Sequence, residues 1–146
     1  MLFRSEIFKT YHYTLLLFNL MPIYPLDGGR LLNIFLNYLI PFKRGNRIVS
    51  FISIIVVIIA ILSYKNLNFI LMGLLLLFEV ILYIKNQNIL YNRMLLERYM
   101  FNFNFKKLKV INSKDNMYKA KRHVVLYKNN YITEKDYLSK RFKVIR

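Results

Sequence analysis

The sequence predicts a mostly α-helical integral membrane protein: one discontinuous span, then a transmembrane helical hairpin, then a small basic α+β tail in the cytoplasm. Three observations predict it. The chain is 56% hydrophobic, with mean hydropathy +0.30, yet carries a net charge of +16, which fits neither an ordinary soluble domain nor a disordered polycation. Two long uncharged or nearly uncharged runs lie in its middle. The cations are also divided unevenly: residues 85–146 hold 16 Lys and Arg against 4 Asp and Glu, whereas residues 1–84 hold 7 against 3. The reading is a membrane region over 1–84 and a basic cytoplasmic tail over 85–146.

The hairpin is the clearest element. Residues 48–64 are 17 long without a charge, and residues 67–84 are 18 long with Glu79 alone. A bilayer core needs about 20 apolar residues per helix, with roughly 17 as the lower bound. Lys65-Asn66 between the runs leaves room only for a tight turn. Lys43, Arg44 and Arg47 precede the hairpin, Lys65 stands alone in the turn, and the basic tail follows. Cations beside span ends are retained on the cytoplasmic side, so both ends of the hairpin point there. Nucleic-acid binding is the other meaning of so high a charge, but it leaves the two apolar runs unexplained and is disfavoured. The expected partner of the tail's cations is anionic membrane lipid.

Upstream, residues 13–18 and 31–42 are each too short to span alone. Taken together, residues 11–42 make one broken span, with an irregular middle over 19–27 and a helix from about Gly28 to Leu39 that Pro41 helps to end. Irregular backbone at membrane depth must be satisfied by protein or by a wet cavity. This predicts packing against other helices around a polar cavity. The first residues carry Glu6 and lack a compact apolar core before a small-residue cleavage site, so they do not read as a signal peptide.

In the tail, residues 88–105 have helical potential, with Leu95, Tyr99 and Phe103 on one face. Residues 123–127, HVVLY, read as a strand, and Thr133 with Asp136 as a capping box opening a last helix to about Arg141. Some 60 residues bury only a marginal core.

Residues 19–30, NLMPIYPLDGGR, place one carboxylate, Asp27, on a backbone broken by Pro22 and Pro25 and followed by Gly28-Gly29. The bland meaning is an N-cap, since Asp before a helix bonds the first-turn amides. Against it stand the depth of the residue in an apolar stretch, where carboxylates are costly and usually functional, and the rigid non-helical backbone, which suits a metal ligand. Asn19 is either a helix C-cap or a donor to freed backbone groups or a substrate backbone. Arg30 either pairs with Asp27 or snorkels. Glu79 either reaches the interface or accepts from Asn33 or Asn37. The chain has no cysteine, so thiolate metal sites and disulfides are excluded.

The stretch Asn-Leu-Met-Pro-Ile-Tyr-Pro-Leu-Asp-Gly-Gly, followed by Arg30, resembles the second signature of the site-2 protease family of intramembrane zinc metallopeptidases, in the form found in its sporulation branch. The resemblance implies that Asp27 is the third zinc ligand and that Asn19, Pro22, Pro25, Gly28 and Gly29 form the active-site loop. The other two ligands and the catalytic Glu come, in that family, from an H-E-x-x-H helix earlier in the chain, the zinc activating water and the Glu acting as base. His12 and His123 have neither a Glu after them nor a second His four residues on. By the family's pattern, therefore, the chain is the C-terminal portion of such a protease: it supplies an Asp ligand to an incomplete zinc site, is inactive alone, and needs a polypeptide carrying the H-E-x-x-H helix. The substrate implied is a membrane-associated proprotein. A non-catalytic membrane adaptor or decayed remnant is the alternative. In longer relatives the tail is a nucleotide-sensing CBS domain, which HVVLYKNNYITEKDYL resembles in reduced form.

Overall fold

The computed structural model describes residues 2–63, 66–101, 103, 105, 107–112, 117–127 and 130–143. It is mostly helical, with a small three-stranded sheet. In chain order the elements are α1 (Leu2–Asn19), α2 (Asp27–Leu39), α3 (Phe42–Ser63), α4 (Leu67–Met100), β1 (Leu108–Ile111), β2 (Arg122–Tyr127), β3 (Asn130–Thr133) and α5 (Glu134–Lys143). They fall into two compact units, residues 1–34 with 48–84 and residues 35–47 with 85–146.

Helices α3 and α4, which give residues 48–63 and 67–84 to the first unit, are each long and apolar enough to cross a membrane. Only 33% and 17% of their most apolar stretches are buried, which separates them from core helices of a soluble domain. Large apolar side chains such as Phe51, Leu62, Leu74 and Leu75 are exposed; so much open apolar surface needs a nonaqueous neighbour or a partner. The two helices approach closely at Gly73, where a Cβ would stand 2.5 Å from Cγ1 of Ile61. The connector expected at Lys65 falls partly outside the described residues.

Helix α4 corrects the sequence reading of a separate tail helix over 88–105. The change from apolar to polar at Lys85 carries no Pro or Gly, and Lys, Asn and Gln do not stop a helix. The helix therefore continues unbroken to Met100, short of Phe103. Similarly, α3 starts at Phe42 rather than near Ile48. The carbonyl of Pro41 accepts the first bond of that helix, from Gly45 at 2.9 Å, so Pro41 opens α3 as well as following the end of α2.

The second unit is built on a sheet of order β1-β2-β3, with β1 and β2 parallel and β2 and β3 antiparallel. Both outer strands are additions to the sequence reading, which found β2 alone. Its core is Phe42, Tyr91, Met94, Leu95, Ile111, Met117, Val125 and Leu138. The expected marginal core of the tail is thus enlarged by Phe42, whose amide donates to the Met117 carbonyl at 3.0 Å. The expected cap at Thr133 is formed in a variant of the box: the Asp136 amide donates to Thr133 Oγ1, and the Asp136 carboxylate accepts from that hydroxyl, at 2.6 Å, in place of the Thr133 amide of a full box.

A buried ion pair joins α4 to the start of α5, beside this sheet. Arg98, 4% exposed in its side chain, donates to both carboxylate oxygens of Glu134 and to the carbonyls of Tyr118, Lys119 and Lys121. Glu134 Oε2 also accepts from the His123 amide at 2.9 Å. His123 Nε2 accepts from the Tyr118 amide, so its ring proton sits on Nδ1, 3.3 Å from the same Glu134 oxygen. Burial of the carboxyl favours its neutral form, but the bonds from His123 and Arg98 and the guanidinium charge prevail and hold it at about 2.

Candidate functional site

The break between α1 and α2 is where the chain departs most from regular structure. Asn19 is the last residue of α1. Beyond it the backbone folds tightly, with bonds from Met21 to Phe18, Ile23 to Met21 and Leu26 to Ile23. The Tyr24–Pro25 peptide is cis, Pro22 is exposed and Pro25 half-buried. The side chain of Ile23 is buried at 2% exposure and anchors the middle of the break.

The N-cap reading of Asp27 is corrected by the geometry. The first intrahelical bond of α2 runs from Arg30 N–H to the Leu26 carbonyl at 3.1 Å, which makes Leu26 the cap and Asp27 the first residue inside the helix. The carboxylate is 72% exposed and lies 3.8 Å from the Arg30 guanidinium. The backbone beneath is well held while the acid points outward. Arg30, 63% exposed, is its partner on the next turn.

The glycines act by closeness and not by flexibility. Neither has a positive φ, and both are buried. A Cβ on Gly28 would stand 2.0 Å from the Leu20 carbonyl oxygen, and one on Gly29 would stand 2.5 Å from the Ile23 carbonyl. The first turn of α2 therefore packs directly against the backbone of residues 20–24, and any larger residue would push them apart.

Partners for the irregular backbone come from α3 and α4. The Tyr24 amide donates to Ser53 Oγ at 2.9 Å, and that hydroxyl donates to the Val49 carbonyl at 2.8 Å. The Tyr24 ring stacks on Tyr83, with centroids 3.9 Å apart. Asn33 of α2 donates to Tyr83 Oη at 2.7 Å. The amide expected opposite Glu79 thus meets a phenol one turn further along α4, and Glu79 itself is exposed. The cavity beside the break, about 290 Å³, is lined chiefly by apolar groups including Leu17, Phe18, Ile23, Val57 and Leu76. Polar groups here are satisfied pairwise. Ser53 and Tyr83 had no role in the sequence reading, although a serine within so apolar a run was the available signal.

Asp27 does not assemble a metal site from this chain's described residues. No group of three His, Asp or Glu side chains comes together among them. His12 is an exposed residue of α1 beside Phe8, and His123 belongs to the buried network of the tail.

Fold and site together define an apolar helical chain that presents an outward carboxylate from a tightly packed break before two span-length helices. Stage IV sporulation protein FB of Bacillus subtilis is 42% identical to it over 43 residues, which make up 30% of this chain and 15% of that protein. That relative is a site-2 protease family member, and the chain covers 15% of its length. No protein-family model matches the chain.

Proposed function

We propose that this chain is the C-terminal portion of a site-2-protease-like intramembrane zinc metallopeptidase of the sporulation branch, acting on a membrane-associated proprotein. In this reading it lies in the cell membrane with its basic tail in the cytoplasm and supplies Asp27 as one metal ligand. Two histidines and the catalytic Glu are supplied by an H-E-x-x-H helix outside these 146 residues, without which the chain is inactive. The observation that carries the reading is the presentation of Asp27: a carboxylate left uncommitted to helix capping, on backbone packed too closely for any residue but glycine at 28 and 29. The partial identity to a sporulation protein supports the same branch.

The test is co-expression with the reading frame upstream of Met1, if that DNA encodes an H-E-x-x-H helix, followed by assay against a membrane-tethered proprotein. Hydrolysis by the pair and none by the chain alone is expected, and Asp27→Ala should abolish it. Activity that survives Asp27→Ala removes the ligand role. The second reading, a non-catalytic membrane adaptor, is favoured by the lone donor at Asp27. It expects no stoichiometric zinc under either condition.

A further inference from the structure

Two part-buried contacts flank Asp27 in sequence, and both end on the α3–α4 pair. Before it, the Tyr24 amide is bonded to Ser53 Oγ at 2.9 Å. Ser53 is fully buried at 0% exposure, and because its own proton is given to the Val49 carbonyl, its lone pair is left facing Tyr24. After it, Asn33 is bonded to Tyr83 Oη at 2.7 Å, and Tyr83, 5% exposed, also holds the Tyr24 ring in a stack tilted by 22°. Tyr83 therefore touches both the segment that leads into Asp27 and the helix that leaves it.

We infer that Ser53 and Tyr83 are positioning residues for Asp27, fixing the backbone on either side of a carboxylate that neither of them touches. The physical reason is the surroundings. In an apolar environment an amide or carboxamide separated from its partner finds no water to replace it, so each pairing restricts the break to one arrangement. An Asp at the start of an isolated helix would have no such restraint. The functional meaning rests on the proposed ligand role of Asp27, but the positioning itself is tested without metal or partner.

The absence of native cysteine makes the test direct. Asp27→Cys in the full chain, solubilised in detergent, is reacted with a water-soluble maleimide, and Ser63→Cys, at the exposed end of α3, serves as the reporter of general loosening. Adding Ser53→Ala or Tyr83→Phe should change the labelling rate at position 27 by about fivefold, the scale of one lost hydrogen bond, and leave the rate at position 63 unchanged. Ser53→Thr, which keeps the hydroxyl, should restore the parent rate. The inference is overturned if position 27 keeps its rate in both variants, if positions 27 and 63 change together, or if Thr fails to restore it. Zinc content measured with the H-E-x-x-H polypeptide reads the other half separately: zinc indifferent to Asp27 would end the ligand role and leave the positioning intact.

Discussion

At the residue scale, Asp27 and its two glycines do different work, and substitutions should separate them. Asp27 makes one exposed ion pair with Arg30, and pairs of this kind contribute at most about 1 kcal/mol. Asp27→Ala should therefore leave the melting temperature of the purified chain nearly unchanged. Gly29→Ala is a different case. The added methyl enters the Ile23 carbonyl, and overpacking of about 1–3 kcal/mol outweighs the gain of about 1 kcal/mol in helix propensity; a clear drop in thermal stability is expected. The motif residues were legible in the sequence because Pro, Gly and Asp are rare in an apolar run. The use of the glycines was not, since flexibility and close approach call for the same residue and only the distance to Leu20 and Ile23 tells them apart. Ser53 stood out only as a serine in an apolar run, and the use of Ser53 and Tyr83 was not legible for a related reason: their partners lie 29 and 50 positions away.

At the element scale, α4 is joined to α5 by Arg98 and Glu134, and Glu134 in turn accepts from the His123 amide of β2. Removing one partner of a buried pair leaves the other charge uncompensated, at a cost of about 3–5 kcal/mol. Arg98→Ala should accordingly strip hydrogen-exchange protection from β2. Acid should have a related effect. The Glu134 pKa is depressed in the folded state to about 2, so its contribution is fully present above the ordinary glutamate value of about 4.3 and is lost as pH falls from there toward 2. A pH titration of β2 protection should show that loss, and Glu134→Gln should flatten it. Helix existence was readable from the apolar runs, and the last helix from Thr133 and Asp136. The unbroken length of α4 was not, because a change of polarity at Lys85 looks like a boundary although nothing there stops a helix. The outer strands β1 and β3 are four residues each, too short for alternation to mark them.

At the scale of the whole molecule, apolar surface and charge lie in different parts of the sequence. Two helices of spanning length precede a tail with most of the cations, and retention of such cations sets the expected direction. With a membrane-impermeant maleimide on intact cells, Ser63→Cys should react and Lys140→Cys should react only after permeabilisation. The reverse pattern would invert the topology. The incompleteness of the site is also a property at this scale. Asp27 was legible as a proposed ligand by resemblance alone, and among the described residues no group of three His, Asp or Glu side chains forms.

The most direct test of that central claim is the zinc content of the chain co-purified with a polypeptide bearing an H-E-x-x-H helix, with and without Asp27→Ala. Stoichiometric zinc is expected in the parent complex, and its loss in the variant. Zinc retained at full stoichiometry after Asp27→Ala would contradict it.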